Sequence, residues 1–144
     1  MLAVGCAHSP PPAPASSPKV QLAVIPVDSD AFPRAARALS ASLTAAKVSG
    51  VDETTVSKVS LEVVQLSIEC VDPTPACYAA IGRSMAANRL LFARIDRTHQ
   101  RGLKISVTLF DVDAKAAART AEKVFASEDA AAAGAAALVA EATR

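Results

Sequence analysis

The sequence predicts an α/β (α+β) fold, in which helices pack on a mixed sheet of about four strands. Two stretches, 20–27 (VQLAVIPV) and 88–95 (NRLLFARI), are apolar on both faces. This pattern is typical of strands that are covered on both sides and lie inside a sheet. Helical patterns separate the two stretches, and alternating apolar and polar residues follow the second. We therefore predict that the two strands are adjacent and parallel, with helices over at least one face of the sheet.

Composition indicates one domain and argues against several classes of partner. The chain has 144 residues, of which 51% are hydrophobic, enough for a substantial core. The formal net charge of +1 provides no overall field that would attract nucleic acid. Aromatic residues are only 3% of the chain, too few for a platform that stacks bases or sugars. One modestly basic stretch is interpreted as a solvated helix end and hairpin: Arg83, Arg89, Arg94, Arg97 and Arg101.

A helix is predicted after the first strand. Asp28, Ser29 and Asp30 offer N-cap side chains. Apolar residues then recur at three- and four-residue spacing up to a stop before Gly50. The predicted buried stripe is Phe32, Ala36, Leu39, Leu43 and Ala46.

Two interpretations fit the next segment. We favour a short strand or extended link at 51–55, followed by a helix. The helical stripe would be Val56, Val59, Val63, Leu66 and Cys70. Strand-like alternation of Val64, Leu66, Ile68 and Cys70 fits the same segment equally well.

The second half of the chain is easier to interpret. Thr74 can cap a helix whose first residue is Pro75, and Gly82 would allow close approach of a neighbour. The buried face of this helix would be Tyr78, Ile81 and Met85. The strand at 88–95 and the alternating segment 103–113 predict a hairpin. Segment 117–126 fits either a helix or an edge strand, and Ser127 would cap a closing helix. The predicted order is β-α-(α)-α-β-β-β-α.

The first eighteen residues predict a lipidated tether, and residues 19–144 predict the single folded domain. Small and apolar residues run directly into Cys6, as in a bacterial lipobox, and this resemblance implies that Cys6 carries lipid. We interpret Met1 as an internal codon of a longer leader. Residues 9–17 (SPPPAPASS) would form a solvated spacer. The alternative is a cytoplasmic tail with an incidental cysteine.

A resemblance to a known family covers most of residues 20–126. The segments LAVIPV, ACYAAIGRSMAANRLLFARI and VTLFDVDA resemble the amino-terminal α/β domain of the TolB family and related bacterial envelope lipoprotein domains. The resemblance implies a non-catalytic domain that makes protein contacts at the cell envelope.

The residues themselves suggest no catalytic chemistry. No nucleophile, base and orienting group can be assembled from the sequence, so we expect neither an enzyme nor a cofactor. His99 stands alone in the predicted hairpin turn and is expected to face solvent. Asp111 and Asp113 are interpreted as turn formers, because the oxygen-rich loop of a calcium site is missing.

Cys70 and Cys77 predict a disulfide, provided that the protein is exported. They flank a segment with two prolines, which would bend the chain and bring the cysteines together. In a reducing cytosol, the same residues would be two small buried thiols.

Two functional hypotheses follow from these observations. The first is a lipid-anchored protein-interaction domain on the periplasmic side of the envelope, at the outer membrane, that binds another envelope protein and no nucleic acid. The second is a soluble cytoplasmic domain that binds a small molecule or has a regulatory role. The codons upstream of Met1 would discriminate between them, because only the first requires an apolar leader.

Overall fold

A computed structural model describes residues 9–13 and 18–144 and has the predicted α/β class. Its elements, in chain order, are β1 (Gln21–Val24), α1 (Pro33–Ala45), β2 (Glu53–Val56), α2 (Leu61–Ser67), α3 (Pro75–Ser84), β3 (Arg89–Arg97), β4 (Leu103–Asp111), β5 (Ala116–Phe125) and α4 (Glu128–Thr143).

The sheet is mixed and has the strand order β2-β1-β3-β4-β5. Strand β1 pairs in parallel with both β2 and β3, and β3, β4 and β5 form an antiparallel meander. The prediction that the two apolar strands are adjacent and parallel is therefore confirmed. The prediction of about four strands is short by one, because the segment predicted as a strand or link at 51–55 forms β2.

Helices cover both faces of the sheet. Helices α1 and α4 bury their apolar residues against the first face, where Leu22, Leu91 and Ile105 lie. Helices α2 and α3 cover part of the second face, around Ile25, Phe92 and Phe110. Successive residues of a strand point to opposite faces, so each central strand contributes to both clusters.

Strand β1 is shorter than the apolar stretch that predicted it. The stretch 20–27 contains only four residues in strand pairing, although Ile25 still donates its N–H to the Leu91 carbonyl at 2.9 Å. Pro26 follows and has no N–H to donate, so the ladder ends there.

Helix α2 exists, but its predicted buried stripe is wrong. Leu61 and Val64 are the residues it buries, whereas Val63 and Leu66 are 48% and 67% exposed. Val56 belongs to β2, and Cys70 lies beyond the end of the helix at Ser67 instead of closing it. Both interpretations of the apolar spacing included Leu66, because neither could show which side of such a short helix would meet the sheet.

Helix α1 is not capped by the side chains that the sequence offered. It begins at Pro33, and Phe32 occupies the N-cap position without a side-chain hydrogen bond. Ser29 instead accepts the Phe32 N–H at 3.1 Å, one turn before the helix. The carboxylate of Glu128, at the start of α4, accepts the Arg34 N–H at 2.6 Å. The cap therefore comes from a residue more than ninety positions away.

The predicted caps of α3 and α4 agree with the structure, but of the predicted buried face of α3 only Ile81 is fully buried, and Tyr78 and Met85 are half-buried. The Thr74 hydroxyl accepts the Cys77 N–H at 3.2 Å, and Ser127 accepts the Ala130 N–H at the same distance. A Cβ atom at Gly82 would collide with the Val112 side chain, so glycine permits α3 to pack closely against the residues that follow β4. Segment 117–126, which the sequence left open between helix and strand, lies mainly in edge strand β5.

Candidate functional site

Within the described part of the chain, the sequence-predicted site residues lie in three separate places, which are His99, Asp111 with Asp113, and Cys70 with Cys77. Cys6 is outside the described residues, so its lipidation remains a prediction. His99 is exposed in the turn between β3 and β4. Asp111 accepts the Ala114 N–H at 3.0 Å and pairs with the Arg89 guanidinium at 3.2 Å, and thus forms the predicted turn.

Cys70 and Cys77 are close together at the corner between α2 and α3. Their Cα atoms are 5.6 Å apart, within the range that a disulfide requires, and the two Sγ atoms lie at bonding distance. Cys77 is buried in the first turn of α3, and Cys70 is half-buried in the preceding loop. The geometry therefore fits the predicted bond, which would fasten the end of α2 to the start of α3.

Part of the second face of the sheet is open and mainly polar. Beyond Phe92 and Phe110, the second-face residues of β3, β4 and β5 have no helix packed over them. Ser106 donates to the Glu122 carboxylate at 2.8 Å, and Lys104 lies 3.9 Å from the same carboxylate. Lys104 and Glu122, on neighbouring strands of this face, therefore pair with one another.

A second exposed surface is apolar and was missed by the sequence analysis. It consists of the loop that follows edge strand β2 and the outer side of α2. We call it the β2–α2 surface. Its exposed residues are Val59, Val63 and Leu66, and it borders a groove lined by Pro26 and Val27.

Three large apolar side chains of this surface are exposed to solvent. Val59 is 43% exposed, and Val63 and Leu66 are one helical turn apart on the outer side of α2. The groove has a volume of about 370 Å³ and lies between the loop after β1 and the loop after β2. Contiguous exposed apolar residues are a mark of contact sites.

The structure gathers no metal ligands among the residues it describes. In residues 9–13 and 18–144, no group of three or more His, Cys, Asp or Glu side chains is placed to hold a metal ion. None of the described helices is both long enough and apolar enough to cross a membrane.

One carboxyl group in the described chain has a resolved pKa shift. Partial burial of Glu128 by itself raises its pKa, but hydrogen bonds from the Arg34 and Ala35 backbone and the nearby Arg34 guanidinium outweigh that effect. The pKa of Glu128 consequently lies below its ordinary value. The cause is structural, since Glu128 caps α1 as described above.

Comparison with known proteins gives a limited result. No protein-family model and no curated protein matches the sequence. The LpoB C-terminal domain from Salmonella enterica is similar at 13% identity and a TM-score of 0.48, over 80% of this chain and 88% of that one. A PelC dodecamer from Paraburkholderia phytofirmans is similar at 14% identity and a TM-score of 0.42, over 88% and 91%. At these values neither structure assigns a function to this chain, and the resemblance to the TolB family remains a prediction from sequence.

Proposed function

We propose that this chain is a non-catalytic protein-interaction domain of the bacterial cell envelope. In this proposal, Cys6 carries a lipid anchor at the outer membrane, and residues 19–144 face the periplasm and bind another envelope protein. The exposed β2–α2 surface is the observation that carries the interaction role. A domain that buries most of its large apolar side chains leaves Val63 and Leu66 in solvent beside an open groove.

The cysteines support the proposed compartment. A bond between Cys70 and Cys77 would persist in an oxidising environment such as the periplasm, whereas cytosolic thiols are kept reduced. The small residues before Cys6 and the Pro-rich spacer after it point the same way. A spacer of this composition would hold the domain away from the membrane surface.

The anchor is tested by expressing the complete reading frame, including the codons before Met1, in the native host. We expect the wild-type protein in the membrane fraction and Cys6→Ala in the soluble fraction. Mass spectrometry should find more than one acyl chain on the amino-terminal peptide, because a single chain binds membranes only marginally. A wild-type protein that is already soluble would contradict the lipid anchor.

The interaction role is tested separately by photo-cross-linking in intact cells. A photoreactive amino acid at position 66 should capture a discrete envelope protein, while the same probe at position 141 serves as the control. Glu141 is exposed on α4, which covers the first face of the sheet, away from both the β2–α2 surface and the open polar face. Further probes would be placed on the open polar face. If probes on neither surface capture a protein, the interaction role is contradicted.

A further inference from the structure

We propose that the β2–α2 surface binds an extended segment of a partner polypeptide, whose apolar side chains are flanked by lysine or arginine. This inference rests on the proposed function and specifies the chemistry of the partner. The segment would pair with the outer edge of β2 and place apolar side chains on α2 and in the neighbouring groove.

The exposed apolar residues are concentrated in one part of the described chain. The described chain exposes six large hydrophobic residues, and five of them lie in segment 56–71. The sixth is Val124. The five are Val56, Val59, Val63, Leu66 and Val71. Segment 56–71 is less than an eighth of the chain, so this concentration marks it as a contact region.

The backbone of β2 provides hydrogen-bonding groups for an added strand. Glu53 and Ser57 donate their N–H groups to Val20 and Val24 of the β1 side. Backbone groups alternate in direction along a strand, so those of Thr54 and Val56 point away from β1. The order of the described sheet ends at β2, which leaves these groups available to an extended polypeptide.

The two edges of the sheet differ in how they oppose such pairing. Strand β5 has a register irregularity beside Leu109 and Phe110, and it exposes Arg119, Glu122 and Lys123. Bulges and charged side chains are the usual means by which edge strands avoid partners. Strand β2 has the sequence ETTV, with Glu53 as its one charged residue and no irregularity in its pairing with β1. The edge of β2 is therefore more open to pairing with an added strand than the edge of β5.

Charge specifies the flanks of the partner segment. Residues 51–72 contain five carboxylates and one lysine, a net charge of −4, which becomes −3 when Lys19, paired with Glu53 at 3.1 Å, is included, although the whole chain has a net charge of +1. The carboxylates, all exposed, belong to Asp52, Glu53, Glu62, Glu69 and Asp72. Lysine or arginine beside the apolar residues of a partner would complement these groups, whereas acidic flanks would be repelled.

The groove provides a place for an apolar side chain. Pro26, Val27, Val59 and Val63 form its apolar walls, and Asp28 and Lys58 are among its polar lining residues. Pockets beside an added strand give specificity, while the backbone hydrogen bonds give affinity. An aliphatic side chain of the partner would fit this position.

The inference is tested with two fluorescein-labelled peptides, KKVTVTVKK and EEVTVTVEE. Fluorescence anisotropy with the disulfide-bonded protein should show that the Lys-flanked peptide binds at least about tenfold more tightly. Higher salt should reduce that difference, because it screens exposed charges. Equal affinity for the two peptides would overturn the inference that the partner segment has lysine or arginine flanks.

Variants separate specific binding from simple electrostatic attraction. Val63→Ser/Leu66→Ser keeps every charge and should weaken binding of the Lys-flanked peptide about tenfold or more, whereas Val124→Ser should not. Thr54→Pro removes an outward N–H from the edge strand and should also weaken binding, while Thr54→Val retains that N–H and should not. Circular dichroism melts should confirm that each variant remains folded, and comparable loss in the Val124→Ser control would overturn the proposed surface.

Two further outcomes separate this inference from the proposed function. If the peptides do not bind but in-cell cross-links form from the open polar face, the interaction domain stands and this surface is wrong. If sedimentation equilibrium shows a dimer that Val63→Ser/Leu66→Ser converts to a monomer, the occupant is a second copy and the inference is also wrong.

Discussion

At the residue scale, Glu128 connects two helices that are far apart in sequence. Its carboxylate accepts N–H groups from Arg34 at 2.6 Å and Ala35 at 3.3 Å and lies 3.3 Å from the Arg34 guanidinium. Asp129 also pairs with Arg34. These contacts supply the acceptor that Phe32 cannot offer at the N-cap of α1, and the positive end of the helix dipole favours the charged carboxylate.

Replacement of Glu128 should therefore destabilise α1. We expect Glu128→Ala to lower the melting temperature by about 2–4 °C at neutral pH, the size of a lost helix cap in a chain of this length. Glu141→Ala is the control, because Glu141 is an exposed residue of the same helix. Thermal melts followed by circular dichroism would measure both, and equal shifts would contradict the capping role.

The same residue predicts a pH dependence with a definite sign. The pKa of Glu128 is lowered in the folded protein, so its contribution to stability is complete above the ordinary carboxyl pKa. That contribution is lost as pH falls through the lowered value. The difference in melting temperature between wild type and Glu128→Gln should thus shrink from neutral pH to about pH 3. A difference that stays constant across this range would show that the charge of Glu128 has no role.

At the scale of elements, α2 depends on its surroundings. It has seven residues and buries only Leu61 and Val64. Isolated helices of this length are unstable in water, so tertiary contacts must hold it. The corner formed by Cys70 and Cys77 lies directly after it in the chain. A bond there would limit how far α2 can move from α3 when those contacts loosen.

Loss of the disulfide should loosen α2 before the rest of the domain. We expect Cys70→Ala/Cys77→Ala to reduce the free energy of unfolding by about 2–3 kcal/mol on the loop-entropy model. Hydrogen exchange should increase first in residues 61–72. Wild type treated with reductant should behave in the same way, and the variant should not respond to reductant. Free thiols in protein purified from the periplasm would contradict both the bond and its proposed compartment.

At the scale of the whole molecule, the two apolar clusters are connected because the same central strands contribute residues to both. In β3, Leu91 contributes to the first-face cluster and its neighbour Phe92 to the second. Tyr78 on α3 stacks at the second face, with its ring centroid 4.6 Å from that of Phe92 and 5.6 Å from that of Phe110. Neither cluster can lose its packing without disturbing a strand that the other requires.

The domain should consequently unfold in one cooperative transition. Tyr78 is the single tyrosine and the chain has no tryptophan, so intrinsic fluorescence reports on the second face alone. Far-UV circular dichroism is dominated by the helices, and the two longest of these, α1 and α4, lie on the first face. We expect the two signals to give the same urea midpoint. Separate midpoints would show that the faces unfold independently.

Sequence reasoning predicted the parts of the fold that local chemistry dictates. The two apolar strands, the Thr74 and Ser127 caps and the close packing at Gly82 each follow from residues within a few positions of one another. The spacing of Cys70 and Cys77 likewise made their approach predictable. The β2–α2 surface could not be predicted in this way, because its location depends on which side of α2 faces the sheet.

The sequence by itself determined the α/β class, the parallel pairing of the central strands and the helix starts at Thr74 and Ser127. These features depend on the pattern of apolar side chains and on backbone preferences, both of which are local. Only the tertiary structure decided that Glu128 caps α1, that 117–126 lies mainly in an edge strand, and that Val63 and Leu66 are exposed. Each of these features depends on which distant segment packs against the element. A short apolar segment would gain a similar free energy from burying either of its two faces, so the packing partner decides which face is buried.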